Sequence, residues 1–200
     1  MFEKWWVLIV ALATLLVWTV VAYNHLVELR NRYQNAFAQI DVQLKRRYEL
    51  IPNLVESAKA SMGHERRTLQ EVIAARNSAD SARQYAAQQP GDGQALRALA
   101  QAESAMGAAW GRFVALSEAY PDLKANHTVE QLMEELTATE NRVAFARQAF
   151  NDAVMFYNTA RQSFPNHLYA SRYAFAPAEL LRLDSPEERK AVRVNFQGAT

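Results

Sequence analysis

His25, His64, His127 and His167 are the side chains of this sequence best suited to metal binding or proton transfer, and they stand far apart along it. His64-Glu65 begins like the helical motif of zinc proteases. No second histidine follows one turn later, so a helix face there offers a single ligand. Adjacent carboxylates occur at Glu134-Glu135 and at Glu187-Glu188. Neighbours on a helix point about 100° apart, which suits solvated faces better than an acid and a base sharing one substrate. Glycine-rich phosphate loops and G-x-S-x-G nucleophile turns are both missing. The chain has no Cys, which excludes disulfides, thiolate metal sites, cysteine nucleophiles and a lipid-modified cysteine. Neither a catalytic residue nor a cofactor is expected, and a metal site gathered from distant histidines is a weak alternative.

Two polar clusters carry more promise as contact surfaces. Lys45-Arg46-Arg47 invites a lipid-binding reading, but along a continuous helix Lys45 lies roughly 33 Å beyond Tyr23. The surface potential of a bilayer decays over a Debye length of about 8 Å. The spacing instead offers local pairs, Asp41 with Lys45 and Arg46 with Glu49, with the remaining charge able to contact a partner subunit. Glu140-Asn141-Arg142, together with Arg147-Gln148 and Asn151-Asp152, forms either a solvated face or a network fixing helix register. Lys and Arg number 22 against 21 Asp and Glu, a balance that argues against a nucleic-acid surface.

The elements that must position these residues begin with a span. Trp5 to Tyr23 carries no charge and, as a helix, covers roughly 28 Å, close to the ~30 Å apolar core of a bilayer. Trp5 and Trp6 at one end, with Trp18 and Tyr23 towards the other, suit the two membrane interfaces. The run exceeds the usual 7–15-residue apolar region of a cleaved signal peptide, and no small-x-small site closes it, so it reads as an uncleaved single-pass anchor. Residues 1–4 are then a short tail and 24–200 one domain. Arg30, Arg32 and Lys45 to Arg47 follow the span, against Lys4 and Glu3 before it, so the positive-inside rule leans the domain to the cytoplasmic side of an inner membrane. Long domains cross regardless of charge, so the extracytoplasmic side stays open.

Beyond Tyr23 the apolar positions Leu26, Leu29, Tyr33, Phe37, Ile40, Leu44, Tyr48, Ile51 and Val55 step by 3 and 4, one stripe of a helix continuous with the anchor. Pro52 should kink or restart that helix, because it lacks a backbone donor. A second helix runs to about Ala87, loosened at Gly63, and QQPGDG (88–93) is a loop. The third, from about Gln94 to Ala119, puts Leu96, Leu99, Met106, Trp110 and Phe113 on one side. The fourth starts at a Thr128-x-x-Gln131 capping box and ends at Pro165. Its large row (Leu136, Val143, Phe150, Tyr157, Phe164) and small row (Thr139, Ala146, Ala153, Ala160) suit close, coiled-coil-like packing. At about 54 Å it needs partners of similar length. The expected fold is all-α: a transmembrane helix followed by an elongated antiparallel helical bundle. The last ~35 residues form an irregular docking tail, in which Pro177 and Pro186 suit helix starts and Val192, Val194 and Phe196 alternate like a strand.

These residues resemble the LemA family. The resemblance is carried by YNHLVELRNRYQNAFAQIDVQLKRRYELIPNLVESAK (23–59), HE (64–65), ARN (75–77), ENRVAFARQAFNDAVMFYNTARQSFP (140–165) and EERKAVRVNF (187–196). It implies a bacterial membrane anchor bearing an antiparallel helical bundle, with no activity, cofactor or catalytic residue to carry over. Some relatives belong with membrane organelles and others are encoded beside membrane proteases. Family members that carry a lipoprotein-type cysteine at the anchor have an outward-facing domain, but this sequence lacks that cysteine. Three functions follow as expectations. The first is a non-enzymatic oligomeric scaffold or membrane-organising protein, bound to lipid through its first helix and to copies of itself. The second is an adaptor for a membrane protein partner such as a protease or envelope-stress component. The third is an unrecognised enzyme.

Overall fold

The computed structural model describes residues 2–182. Helix α1 (Phe2–Lys59) runs without interruption from the apolar segment into the domain. It is followed by α2 (Arg66–Gln88), α3 (Gly93–Ser117), a single turn α4 (Pro121–Lys124), α5 (His127–Gln162) and a short α6 (Asn166–Arg172). Among the described residues there is no strand. Within the apolar segment, Thr14 and Thr19 donate their hydroxyls to the carbonyls of Val10 and Leu15, at 2.8 and 2.7 Å. Both threonine hydroxyls are thereby satisfied within the helix, as a hydrocarbon surrounding would demand.

All nine residues of the stripe from Leu26 to Val55 are buried. Burial of one helical face is what holds so long a helix to a domain, since propensity alone adds little. The stripe faces α5, which runs antiparallel along it. Tyr33 and Phe37 of α1 meet Phe150 and Tyr157 of α5 at ring separations between 5.1 and 6.4 Å. In α5 the large row Leu136, Val143, Phe150 and Tyr157 is buried, with Thr139 and Ala153 beside it. Phe164 leaves the seam and is exposed, because α5 ends at Gln162.

Pro52 does not end α1. It lies on the exposed side of the helix, where its ring meets solvent, and the chain remains helical to Lys59. A proline deprives the carbonyl four residues earlier, here that of Tyr48, of its donor. Arg76 of α2 supplies the replacement, its Nε donating to Tyr48 O at 2.9 Å. The real break falls at residues 60–65, around Gly63.

The α2–α3 hairpin is shorter than the α1–α5 pair. Its near turn comes back only as far as Tyr33, where Gly91 holds φ at +94° and an added Cβ would lie 3.0 Å from Tyr33 Cε2. Asp92 caps α3 by accepting from the N–H groups of Gln94 and Ala95. Between this turn and the anchor, residues 175–182 fill the groove without helical pairing, burying Phe175, Ala178 and Leu181. Pro177 therefore sits in this strip rather than starting a helix; a strip hydrogen-bonded outward to side chains has no use for helical pairing. The pattern at Val192, Val194 and Phe196, and Pro186, lie outside the described residues. At the start of α5 the cap is Asn126, accepting from Thr128 N at 3.0 Å, two residues before the expected box. The amide oxygen of Asn is among the best N-caps, so it takes the orphan donor first.

Candidate functional site

The side chains that could do chemistry remain scattered. His25 lies 3.9 Å from Glu28 and His127 3.5 Å from Glu130, each pair exposed on one helix. His64 and His167 are also exposed. Among the described residues no group of three or more His, Asp or Glu side chains could hold a metal ion. Glu134 is exposed, Glu135 turns to Arg46, and Glu187-Glu188 lies outside the described residues.

What the fold does assemble is a polar layer across the bundle, midway along α1. Glu103 of α3 occupies a core position, one turn from Leu99 and Met106, and is buried. One of its carboxylate oxygens accepts from Arg47 Nη2 and the other from the Tyr48 hydroxyl. Burial pushes the Tyr48 hydroxyl well above its ordinary value, and the Glu103 carboxylate pushes it further. Arg47 feels the opposite pull of burial on a cation, but Glu103, with Tyr48 and Glu140 of α5, outweighs it and its pKa is raised. One atom of this set, Arg47 Nε, is buried without a partner.

Around this centre, Arg83 of α2 joins Asp41 of α1 at 2.5 Å and Asp80 of its own helix at 2.9 Å. On the outer side, Arg46 binds Glu135 of α5 at 2.5 Å. The pairs expected within α1 are thus replaced by pairs between helices. Asp41 and Arg46 both lie next to the stripe, within reach of a neighbouring helix bearing the opposite charge. Lys45 stays exposed, as do Glu140, Asn141 and Arg142. With each oxygen held by Arg47 or Tyr48 and its side chain sealed from solvent, Glu103 is placed for holding helices together and is out of reach of a substrate in solution. The layer can hold helices in register; a buried charge that matches only one partner disfavours sliding.

A second constellation clamps the tail to α5. Asn151 and Asn158, two turns apart, each use both ends of the amide. Asn151 donates to Leu181 O at 3.2 Å and accepts from Leu181 N at 2.9 Å; Asn158 does the same with Ala178, at 2.7 and 3.1 Å. Tyr157 donates to Ala176 O and Arg161 to Phe175 O. Each amide mimics one rung of a β-ladder, so a non-helical strip is satisfied against a helix. Glu179 N donates to Gly91 O at 2.9 Å, joining the strip to the α2–α3 turn.

Trp5 and Trp6 are exposed near the start of α1, and Trp18 is half-buried. Tyr23 packs edge-on against Tyr173 and Phe175, at 5.6 and 5.4 Å. Sequence reasoning missed Glu103, Arg76, Arg83 and the paired roles of Asn151 and Asn158. The signal for Glu103 was there, a carboxylate at the 4-then-3 step between Leu99 and Met106. So was the seven-residue spacing of Arg76 to Arg83 and of Asn151 to Asn158.

A long apolar helix rooted in a four-helix bundle, with buried polar clamps and no assembled reactive centre among the described residues, defines a membrane-anchored helical-bundle protein. The chain belongs to the LemA family, whose sequence model matches residues 36–196. It is similar to the magnetosome protein MamQ of Magnetospirillum gryphiswaldense, 37% identical over 75 residues, covering 38% of this chain and 28% of that protein. It is also similar to MamQ 2 and MamQ 1 of Paramagnetospirillum magneticum, each 28% identical over 183 residues, covering 84% of this chain and 66% of the relative. The chain therefore spans less than two thirds of the length of these relatives.

Proposed function

We propose that this protein is a non-enzymatic scaffold that self-associates and organises or reshapes the membrane in which it is rooted. The observation that carries this reading is the unbroken helix α1, which joins anchor and bundle as one rod with no intervening loop. A rod of this kind transmits lateral packing of the bundles directly into the tilt and spacing of the anchors. The flank of α1 and α5 supports self-association: Val42, Phe145 and Phe156 are large apolar residues exposed on it. The assigned setting is an inner (plasma) membrane, with the bundle on the cytoplasmic side by the charge asymmetry around the span. Light scattering of the full chain in mild detergent, with electron cryomicroscopy of liposomes carrying it, tests the proposal. Oligomers and altered vesicle shape are expected; a monomer that leaves vesicles unchanged defeats it.

The same apolar flank supports a second reading, an adaptor that presents this surface to a membrane protease or envelope-stress component. Cross-linking in cells should then recover one partner in stoichiometric yield, and recovery of nothing above background retires that reading.

A further inference from the structure

The corner where α5 turns into α6 lies level with the end of the apolar span. Ala22, inside the Trp5–Tyr23 segment, is buried, and Trp18 and Thr19 are half-buried, so the domain covers the last turns of the span itself. Tyr23 touches Tyr173 and Phe175. A bilayer ending short of this covered stretch would enclose only Trp5 to Val17, about 20 Å of helix against an apolar core of ~30 Å. The covering segment must therefore share the depth of the lipid interface. At this corner Phe164, Leu168 and Tyr173 are 80%, 57% and 50% exposed, with Arg172 and His167 exposed among them. Aromatic and aliphatic groups interleaved with basic ones suit the boundary between headgroups and acyl chains.

We infer that the α5–α6 corner is a second membrane contact, with Phe164, Leu168 and Tyr173 inserted into the interfacial layer of the same bilayer that α1 spans. Two attachments, one spanning and one interfacial, fix the rotation of the bundle about its anchor as well as its height. The inference depends on the anchor and is independent of any scaffold role.

The natural absence of Cys permits a direct test on the full chain in phosphatidylcholine liposomes. Spin labels are placed singly through Phe164→Cys, Leu168→Cys and, as the distal reference, Ala60→Cys. The ratio of collisions with oxygen to collisions with a water-soluble nickel chelate should be clearly higher at 164 and 168 than at 60. A ratio at 164 and 168 equal to that at 60 overturns the inference. Shielding from both reagents, with broadening that grows with protein density, also overturns it, by showing a second copy over the corner. Should a label at 164 or 168 disturb folding, a fluorophore on Ser171→Cys provides the same reading. Quenching by lipids brominated near the headgroup is expected there, and its absence counts against the inference.

Discussion

The buried Glu103 carries the sharpest consequences for single residues. Removing it leaves the Arg47 guanidinium in the core without the carboxylate that pairs with it directly, and breaking such a pair costs about 3–5 kcal/mol. Glu103→Ala should lower the urea midpoint of the full chain accordingly, followed by circular dichroism. Replacing Glu103 by Leu together with Arg47→Met and Tyr48→Phe should recover most of the loss, because matched apolar groups need no desolvated partner. The tyrosines predict alkaline sensitivity. Burial, the largest cause in each case, raises Tyr33, Tyr48 and Tyr157 above the ordinary value of 10.0. The fold then keeps protons that the unfolded chain releases. Their contribution is complete below about pH 10 and is lost as pH rises beyond it. Urea midpoints should fall on that side, less steeply in Tyr48→Phe. At Pro52, Arg76→Met strands the Tyr48 carbonyl, a loss of about 1–3 kcal/mol. Pro52→Ala restores a backbone donor to that carbonyl, so the double variant should lose less than Arg76→Met alone; equal losses would refute the capping role.

Among the elements, the strip 175–182 and the α2–α3 turn test how a short hairpin is completed. Asn158→Ala removes both ends of one clamp, and amide exchange should accelerate across 175–181 while α1 and α5 keep their protection. Asn158→Asp should weaken the strip as well, since a carboxylate accepts from Ala178 N but cannot donate to its carbonyl. Gly91→Ala combines a left-handed backbone with a Cβ pressed against Tyr33 and Ala178. A destabilisation above about 1 kcal/mol is expected in the same urea measurement, with the strip loosened because Glu179 N bonds to Gly91 O.

For the whole molecule, orientation limits every partner to one compartment. The far end of the bundle, at residues 60–65 and 118–126, is the most distant from the span and therefore the cleanest reporter. Asp92 caps α3 and is a poor site for a probe. Ala60 is exposed beside the first distal turn. With Ala60→Cys in cells, a membrane-impermeant maleimide should label only after lysis if the charge asymmetry sets the topology. Labelling of intact cells would place the bundle outside the inner membrane and move the search for partners to the envelope.

Periodicity and composition by themselves determined the anchor, the four long helices and the buried face of α1. A 3-and-4 spacing of apolar residues has one low-energy outcome wherever a face can be buried. The family was equally legible, because its motifs run along those same helices. Pair identity was not. Whether Asp41 meets Lys45 on its own helix or Arg83 on another depends on which helix lies alongside, and side chains of that length reach both. Likewise, Pro52 reads as a break until Arg76 is seen to take the carbonyl it frees. The strip 175–182 has no period to read, since side-chain amides hold its backbone. Only the packed bundle, by bringing Glu103 to Arg47 and Asn158 to Ala178, decided where the charges are buried and where residues 175–182 lie.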